Sequence, residues 1–249
     1  MGIAMDEGLA TRLPHSLPIL RVLDNVHPCS YLDDQTASMP LILPGRFVAG
    51  DEFDQMLANG LRRSGYFTYF TACDGCSACE PTRVEVARFR WSYSWRRILK
   101  RGDELLQTQC VEPEYSEEKL RLFNLHRNHR DLGSGDRDYE STDYEGFLVD
   151  SCCEATIELQ IRKGDQLVAV SIIDCGTQSL SAVYTFFDPE FEKLSLGTYA
   201  ILKQLQFAEI TGRKYVYLGM YVSQNRHLNY KCRFTPQERF IHGEWVPFE

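Results

Sequence analysis

The sequence predicts an α+β chain with an antiparallel sheet and helices in its C-terminal half and a smaller α+β half at the N-terminus. Three observations carry the prediction. Residues 155–163, 167–175 and 179–188 are β-type runs separated by Gly164-Asp165 and Gly176-Thr177, which are hairpin signals. Residues 197–212 follow with helical spacing and stop at Gly212, the residue type that closes helices. A short run of Tyr215, Val216, Tyr217 and Leu218 then reads as one more strand. Strands grouped apart from helices make an α+β class rather than an alternating α/β one.

In chain order, residues 1–20 read as loosely ordered. Phe53, Met56, Leu57 and Leu61 give residues 51–61 a helical apolar stripe. Residues 83–89 alternate, with Val84 and Val86 on one face and Arg83 and Glu85 on the other, as in a strand. Residues 95–106 form a basic helix. A break holding Pro113 covers residues 107–115. Ser116 then caps a helix to about Arg130, with Glu117 and Glu118 in its first turn. Residues 131–141 are polar and glycine-containing, a loop. The expected division is residues 1–108 and 109–249.

The chain has 249 residues, ordinary globular composition, no apolar run long enough to span a membrane and no signal-like start. A cytoplasmic, monomeric protein is expected. Nine cysteines in such a chain read as free thiols or metal ligands rather than disulfides. Cys73, Cys76 and Cys79 stand at C-x₂-C-x₂-C spacing, and with Cys29 they make a candidate four-thiolate site for zinc or an iron–sulfur centre. The same cysteines serve equally as buried thiols packing a loop-rich subdomain. Cys110, Cys152, Cys153, Cys175 and Cys232 read as core or strand residues.

A net charge of −8 speaks against a nucleic-acid partner, but a local basic surface suffices for one. Residues 88–101 supply it, with Arg88, Arg90, Arg96, Arg97, Lys100 and Arg101 and no acid. Phe89, Trp91, Tyr93 and Trp95 interleave them, and such rings stack on unpaired bases. Arg62 and Arg63 form a second basic point, suited to phosphate or carboxylate. A solvated helix face over aromatic core residues is the plainer alternative.

The sheet–helix–strand unit looks like the acetyltransferase-type acyl-transfer fold (GNAT-type). That fold grips coenzyme A through a glycine-rich turn before its helix. Here the turn reads Lys193-Leu-Ser195-Leu-Gly197-Thr198-Tyr199, with bulk where the second glycine belongs. Bulk there keeps the backbone from a pyrophosphate. Acyl transfer to an amine without coenzyme A is the implication.

The residues also carry a longer resemblance. Cys29-Ser-Tyr-Leu, Gln35-Thr-Ala, Leu61-Arg-Arg-Ser-Gly65, the run from Cys73 to Arg83, Arg96-Arg97, the run from Leu180 to Pro189, Ser195 to Ala200, Tyr215 to Gly219 and Tyr230-Lys231 to Phe234 are similar to stretches of the aminoacyl-tRNA–protein transferases. Among these, the chain most resembles the bacterial aspartate/glutamate leucyltransferases, relatives of the arginyltransferases. The likeness covers roughly residues 27–240. It departs at Gly60-Leu61, where the family has Gly-Phe, and at Gly219-Met220-Tyr221, where it has Gly-Tyr-Trp.

The resemblance implies transfer of leucine from leucyl-tRNA to proteins with N-terminal Asp or Glu, marking them for degradation, with no cofactor required for transfer. Expected catalytic groups are Tyr184, Asp188 and Tyr217, with Asp188 orienting the amine. Expected substrate contacts are Arg62, Arg63, Ser195, Thr198, Tyr199 and Lys231, and expected tRNA contacts are Arg96, Arg97, Lys100 and Arg101. Replacing Arg62 or Arg63 by Ala is expected to weaken transfer without unfolding the chain. Arginyl-tRNA as donor, a coenzyme A-dependent acetyltransferase, and a metal- or redox-sensing adaptor are the competing readings.

Overall fold

The computed structural model describes residues 12–130 and 137–249. Any reading of residues 1–11 and 131–136 lies outside the described residues. The first strands are short: β1 (Ile19–Leu23), β2 (Val26–Pro28), β3 (Thr36–Ser38) and β4 (Leu41–Pro44) precede α1 (Gly50–Ala58). Leu13, Leu17, Ile42, Phe53, Met56 and Leu57 share one core cluster, so residues 12–20 are packed rather than loose. β5 (Arg62–Ser64) and β6 (Phe67–Tyr69) complete a four-stranded sheet in the order β1-β4-β6-β5.

The larger sheet has eight strands. β7 (Glu80–Glu85), α2 (Tyr93–Leu105), β8 (Gln107–Val111), α3 (Glu117–His129) and the short α4 (Ser141–Tyr144) lead into β9 (Thr156–Lys163), β10 (Gln166–Cys175) and β11 (Ser179–Phe187). α5 (Leu196–Ile210), β12 (Tyr215–Tyr221), β13 (Gln237–Ile241) and β14 (Glu244–Phe248) follow. The strand order is β14-β13-β7-β12-β11-β10-β9-β8. The hairpins at Gly164-Asp165 and Gly176-Thr177 fall where the sequence puts them.

Two expectations are corrected. Residues 107–111 are a strand, not a break. β8 pairs with β9, but Gln107, Thr108, Gln109 and Cys110 are all exposed at the sheet edge, so no apolar alternation betrays it. The division at 108/109 also cuts through one sheet. β7 lies between β12 and β13, and Arg83 donates to the Glu238 carboxylate at 2.6 Å.

β10 is buried along nearly its whole length because helices cover both faces. Ala169, Ile173 and Cys175 join the cluster of α2 and α5; Val170 and Ile172 join that of α3. A strand covered on both sides reads as a continuous apolar run. Among the described residues no helix is long and apolar enough to cross a membrane.

β11 and β12 are the parallel pair. Their pairing stops at Ser181 and Tyr217, although β11 continues to Phe187 and β12 to Tyr221. β12 bulges between Tyr217 and Gly219, and Gly219 sits at φ +83°, a conformation that side chains resist. The two strands part there. This antiparallel sheet, crossover helix and parting parallel pair match the acetyltransferase-type architecture expected from the sequence.

Candidate active site

Where β11 and β12 part, groups from distant parts of the chain come within reach of the two strands or of one another. Tyr184 projects from β11, Lys231 from the turn Asn229–Arg233, Arg62 from β5, and Tyr31 from the segment after Cys29. Tyr31 lies within electrostatic reach of Tyr184, Tyr69, Cys29 and Cys79. Lys231 lies within electrostatic reach of Arg62 and Cys79. Burial, with these neighbours, raises the Tyr31 hydroxyl well above the usual range.

Arg62 is 4% exposed and carries no acidic partner among the described residues. Its Nη1 donates to the Leu61 carbonyl at 2.7 Å, and its guanidinium lies over the Tyr217 ring at 5.3 Å. Its Nε and Nη2 are buried without a hydrogen-bond partner. Among the described residues it is the only side chain with two such atoms. Burial lowers its pKa to about 10. Lys231 donates to the Met220 carbonyl at 2.6 Å, across the Gly219 bulge, and burial followed by Arg62 brings it down to about 7.

The Tyr184 hydroxyl has no hydrogen-bond partner among the described residues, and its ring packs edge-on against Phe123 and Phe147. Burial raises its pKa, partly offset by Arg127 and Arg130, so at neutral pH it stays a proton donor. His126 meets the last residue of β11: its Nδ1 stands 3.2 Å from the Phe187 amide nitrogen and 3.1 Å from the Phe187 carbonyl. Burial holds its pKa down at about 4, so the ring is neutral. Arg130 reaches His227 at 2.9 Å and ties α3 to the loop after β12.

The other expected residues lie elsewhere. Arg63 is fully enclosed, with Nε on Asp174 at 2.8 Å and Nη1 on the Asp150 carbonyl at 2.8 Å; it is a fold-holding ion pair, unlike its neighbour. Asp188 accepts from the Glu190 amide at 2.9 Å and from Gln166 at 3.3 Å, which commits its carboxylate to a turn rather than to an amine. The Tyr217 hydroxyl receives Arg83 at 3.1 Å. The Tyr199 hydroxyl donates to Asp103 at 2.7 Å, joining α5 to α2. Ser195 adopts φ +55° before α5 without capping it, and Thr198 is half-buried one turn inside. Gly197 sits close to the Phe187 ring, where a Cβ would make a tight contact of 3.2 Å.

Arg96, Arg97, Lys100 and Arg101 are exposed on α2. Arg88 and Arg90 are instead paired with Glu249. Of the interleaved aromatics, Phe89 and Trp95 are buried, Trp91 is half-buried and Tyr93 is exposed.

Cys29, Cys73, Cys76 and Cys79 are half-buried and face one another closely enough that the other three, after burial itself, push the Cys79 thiol up to about 12. Backbone amides of Tyr31 and Ser38 donate to the Cys29 and Cys73 sulfurs, each at 3.4 Å. The donor chemistry suits a soft cation. As folded, however, no three His, Cys, Asp or Glu side chains among the described residues stand ready to hold one. Of the remaining cysteines, Cys152, Cys153 and Cys175 are buried and Cys110 lies on strand β8, as expected, whereas Cys232 is exposed in the turn Asn229–Arg233.

Tyr31 and Tyr230 sit inside quoted motifs and were findable there. His126, Arg130 and Tyr69 gave no local signal, because their meaning comes from the sheet that brings them to the opening.

Comparison with known proteins is consistent along the chain. The profile of the arginine-tRNA–protein transferase N terminus matches residues 27–97 and that of the C terminus residues 118–241. The aspartate/glutamate leucyltransferase of Thiobacillus denitrificans is 35% identical over 90% of this chain and 92% of its own length. That of Aeromonas hydrophila is 37% identical over 91% and 94%. A GCN5-related N-acetyltransferase from Kribbella flavida overlaps 60% of this chain and 52% of its own at 18% identity and a TM-score of 0.33. That likeness is too slight to bear on the fold, which rests on the strand order above. With nearly full-length matches on both sides, the chain belongs to the arginine-tRNA–protein transferase family, in which these relatives are aspartate/glutamate leucyltransferases.

Proposed function

We propose that this chain transfers leucine from leucyl-tRNA to the α-amine of proteins beginning with Asp or Glu, marking them for degradation. The observation that carries the acceptor half is the unsatisfied edge of Arg62. Nε and Nη2 form the side of the guanidinium that matches the two oxygens of a carboxylate. A buried polar pair left without partners calls for a functional one. Lys231, within electrostatic reach of Arg62, adds positive character there.

Support for leucine over arginine comes from the relatives' names and from charge. The principal electrostatic neighbours of Arg62, Lys231, Tyr31 and Tyr184 include no carboxylate. An arginyl side chain would need one.

The chemistry asks little beyond positioning. The ester is already activated, and the acceptor amine, with a pKa of roughly 7.7–8.0, is partly neutral near pH 7.5. Its nitrogen attacks the ester carbonyl, the bond to the tRNA ribose oxygen breaks, and the amine proton ends on that oxygen. Juxtaposition supplies up to about 7–11 kcal/mol of the barrier. The Tyr184 hydroxyl, without a hydrogen-bond partner among the described residues, is assigned the donation to the developing oxyanion in this reading. The four cysteines are proposed to close around one structural metal ion; no step of transfer runs through it.

Peptides beginning with Asp, Glu, Asn and Gln test the acceptor reading. The expected result is transfer to the acidic pair, with Arg62→Met raising their KM toward that of the amides while kcat changes less. Equal use of Asp and Asn peptides by the unaltered protein would overturn it.

A further inference from the structure

The outer face of α2 carries a feature that transfer chemistry alone does not use. Tyr93, Arg96, Arg97 and Lys100 follow the i, i+3, i+4, i+7 spacing that places side chains on one helix face. Tyr93 is 81% exposed. Arg96 and Arg97 have no hydrogen-bond or ion-pair partner among the described residues, and Lys100 only approaches Glu104 at 3.9 Å. This is the local exception in a chain of net charge −8.

The inner face of the same helix is anchored to the site. Trp95 stacks on Phe234 with ring centroids 5.0 Å apart and planes 5° apart. Arg233 lies over Trp95 at 5.2 Å. Phe234 directly follows the turn that carries Tyr230 and Lys231. That contact sets α2 beside the turn that carries Lys231.

We propose that Tyr93 is the stacking platform for an unpaired base near the 3′ end of the aminoacyl-tRNA, with Arg96 and Arg97 on the adjoining phosphates. The inference rests on the tRNA-dependent reading above and deepens it. The geometry suits single-stranded rather than duplex RNA. From Tyr93 to Lys100 the helix rises about 10 Å, room for a short single strand, and an isolated exposed ring offers its face to a base of any sequence. Of the four aromatics in this stretch, Tyr93 is the one left free. Phe89 and Trp95 are buried in the core, and Trp91 packs edge-on against Phe89 at 5.0 Å.

The test uses the full chain with a deacylated tRNA carrying 2-aminopurine in its unpaired 3′ end, read by fluorescence and by affinity across a salt series. Binding by the unaltered protein is expected to quench the probe. Tyr93→Ala should weaken affinity by about 5- to 150-fold, abolish the quench and leave the salt slope unchanged. Tyr93→Trp should restore both. Arg96→Gln with Arg97→Gln should reduce the salt slope by about 1–2 and keep the quench at saturation. If Tyr93→Ala binds and quenches like the unaltered protein, the platform is elsewhere. If the arginine pair also leaves the slope untouched while transfer proceeds, the whole face is excluded and the transfer reading survives. No tRNA binding and no transfer by the unaltered protein would instead sink both.

Discussion

Arg62 and Arg63 are neighbours of the same residue type, and the structure predicts opposite consequences for losing them. Arg63 and Asp174 form an ion pair with both side chains at 0% exposure, and Asp174 also accepts from Thr156 at 2.8 Å. Arg63→Ala strands that carboxylate in the interior. Breaking such a pair costs about 3–5 kcal/mol, a large part of the roughly 5–15 kcal/mol that holds a domain folded. Arg62 has no such partner. Its pKa falls from 12.5 to about 10 because its charge is desolvated without compensation. At about 1.4 kcal/mol per unit, the folded state bears a penalty on the order of 3 kcal/mol at neutral pH. Arg62→Met should therefore leave stability unchanged or raise it by about 1–2 kcal/mol, while transfer to acidic peptides drops. Arg63→Ala should lower the urea midpoint strongly, and its loss of transfer should track loss of folded protein. Against the expectation that both alanine variants stay folded, the contacts predict that outcome for Arg62 alone. Urea unfolding beside a transfer assay on the two variants decides it. If Arg62→Met is as destabilised as Arg63→Ala, Arg62 is a packing residue and the acceptor reading loses its anchor.

Three further outcomes follow from the same contacts. His126 has a folded pKa of about 4 against 6.5 unfolded, so the unfolded chain takes up a proton first as pH falls. Stability contributed by the neutral ring is complete above pH 6.5 and shrinks by about 2 kcal/mol between pH 6.5 and 5; His126→Gln should lose that part of the pH dependence in urea titrations, and superimposable pH profiles would contradict this. Tyr199→Phe removes one hydrogen bond to Asp103, costing about 1 kcal/mol, and should leave the KM for tRNA unmoved, whereas a large rise would return Tyr199 to the donor site. If the four thiols close on one ion, metal analysis should find one equivalent per chain that disappears in Cys79→Ser; a metal-free protein of unchanged stability would make the cluster simple packing.

Much of the fold was legible because its central part obeys local rules. Gly164-Asp165 and Gly176-Thr177 mark the hairpins, and Gly212 ends α5 within a few residues of where the sequence places it. Strands that take their meaning from neighbours were not legible. β8 is polar at a sheet edge, the β13–β14 hairpin lies beyond the last periodic stretch, and β7, readable as a strand from its alternation, takes its place in the sheet from β12 and β13, which follow it by more than a hundred residues. The site divides along the same line. Motif matching singled out Tyr184, Lys231 and Arg62, which the fold brings to the parted ends of β11 and β12. It could not separate Arg62 from Arg63, because adjacent strand residues point to opposite faces and only the fold says which face holds Asp174. Asp188 and Tyr199 are polar residues in matching motifs whose partners, the Glu190 amide and Asp103, serve the scaffold.

What this protein transfers, and to what, is open to direct assay. The most direct measurement gives it separately labelled leucyl-tRNA and arginyl-tRNA with one peptide beginning with Asp and its N-acetylated twin. The prediction is label from leucyl-tRNA on the free peptide, little from arginyl-tRNA, and none on the acetylated peptide. Label from arginyl-tRNA in preference, or no label from either donor, would contradict it.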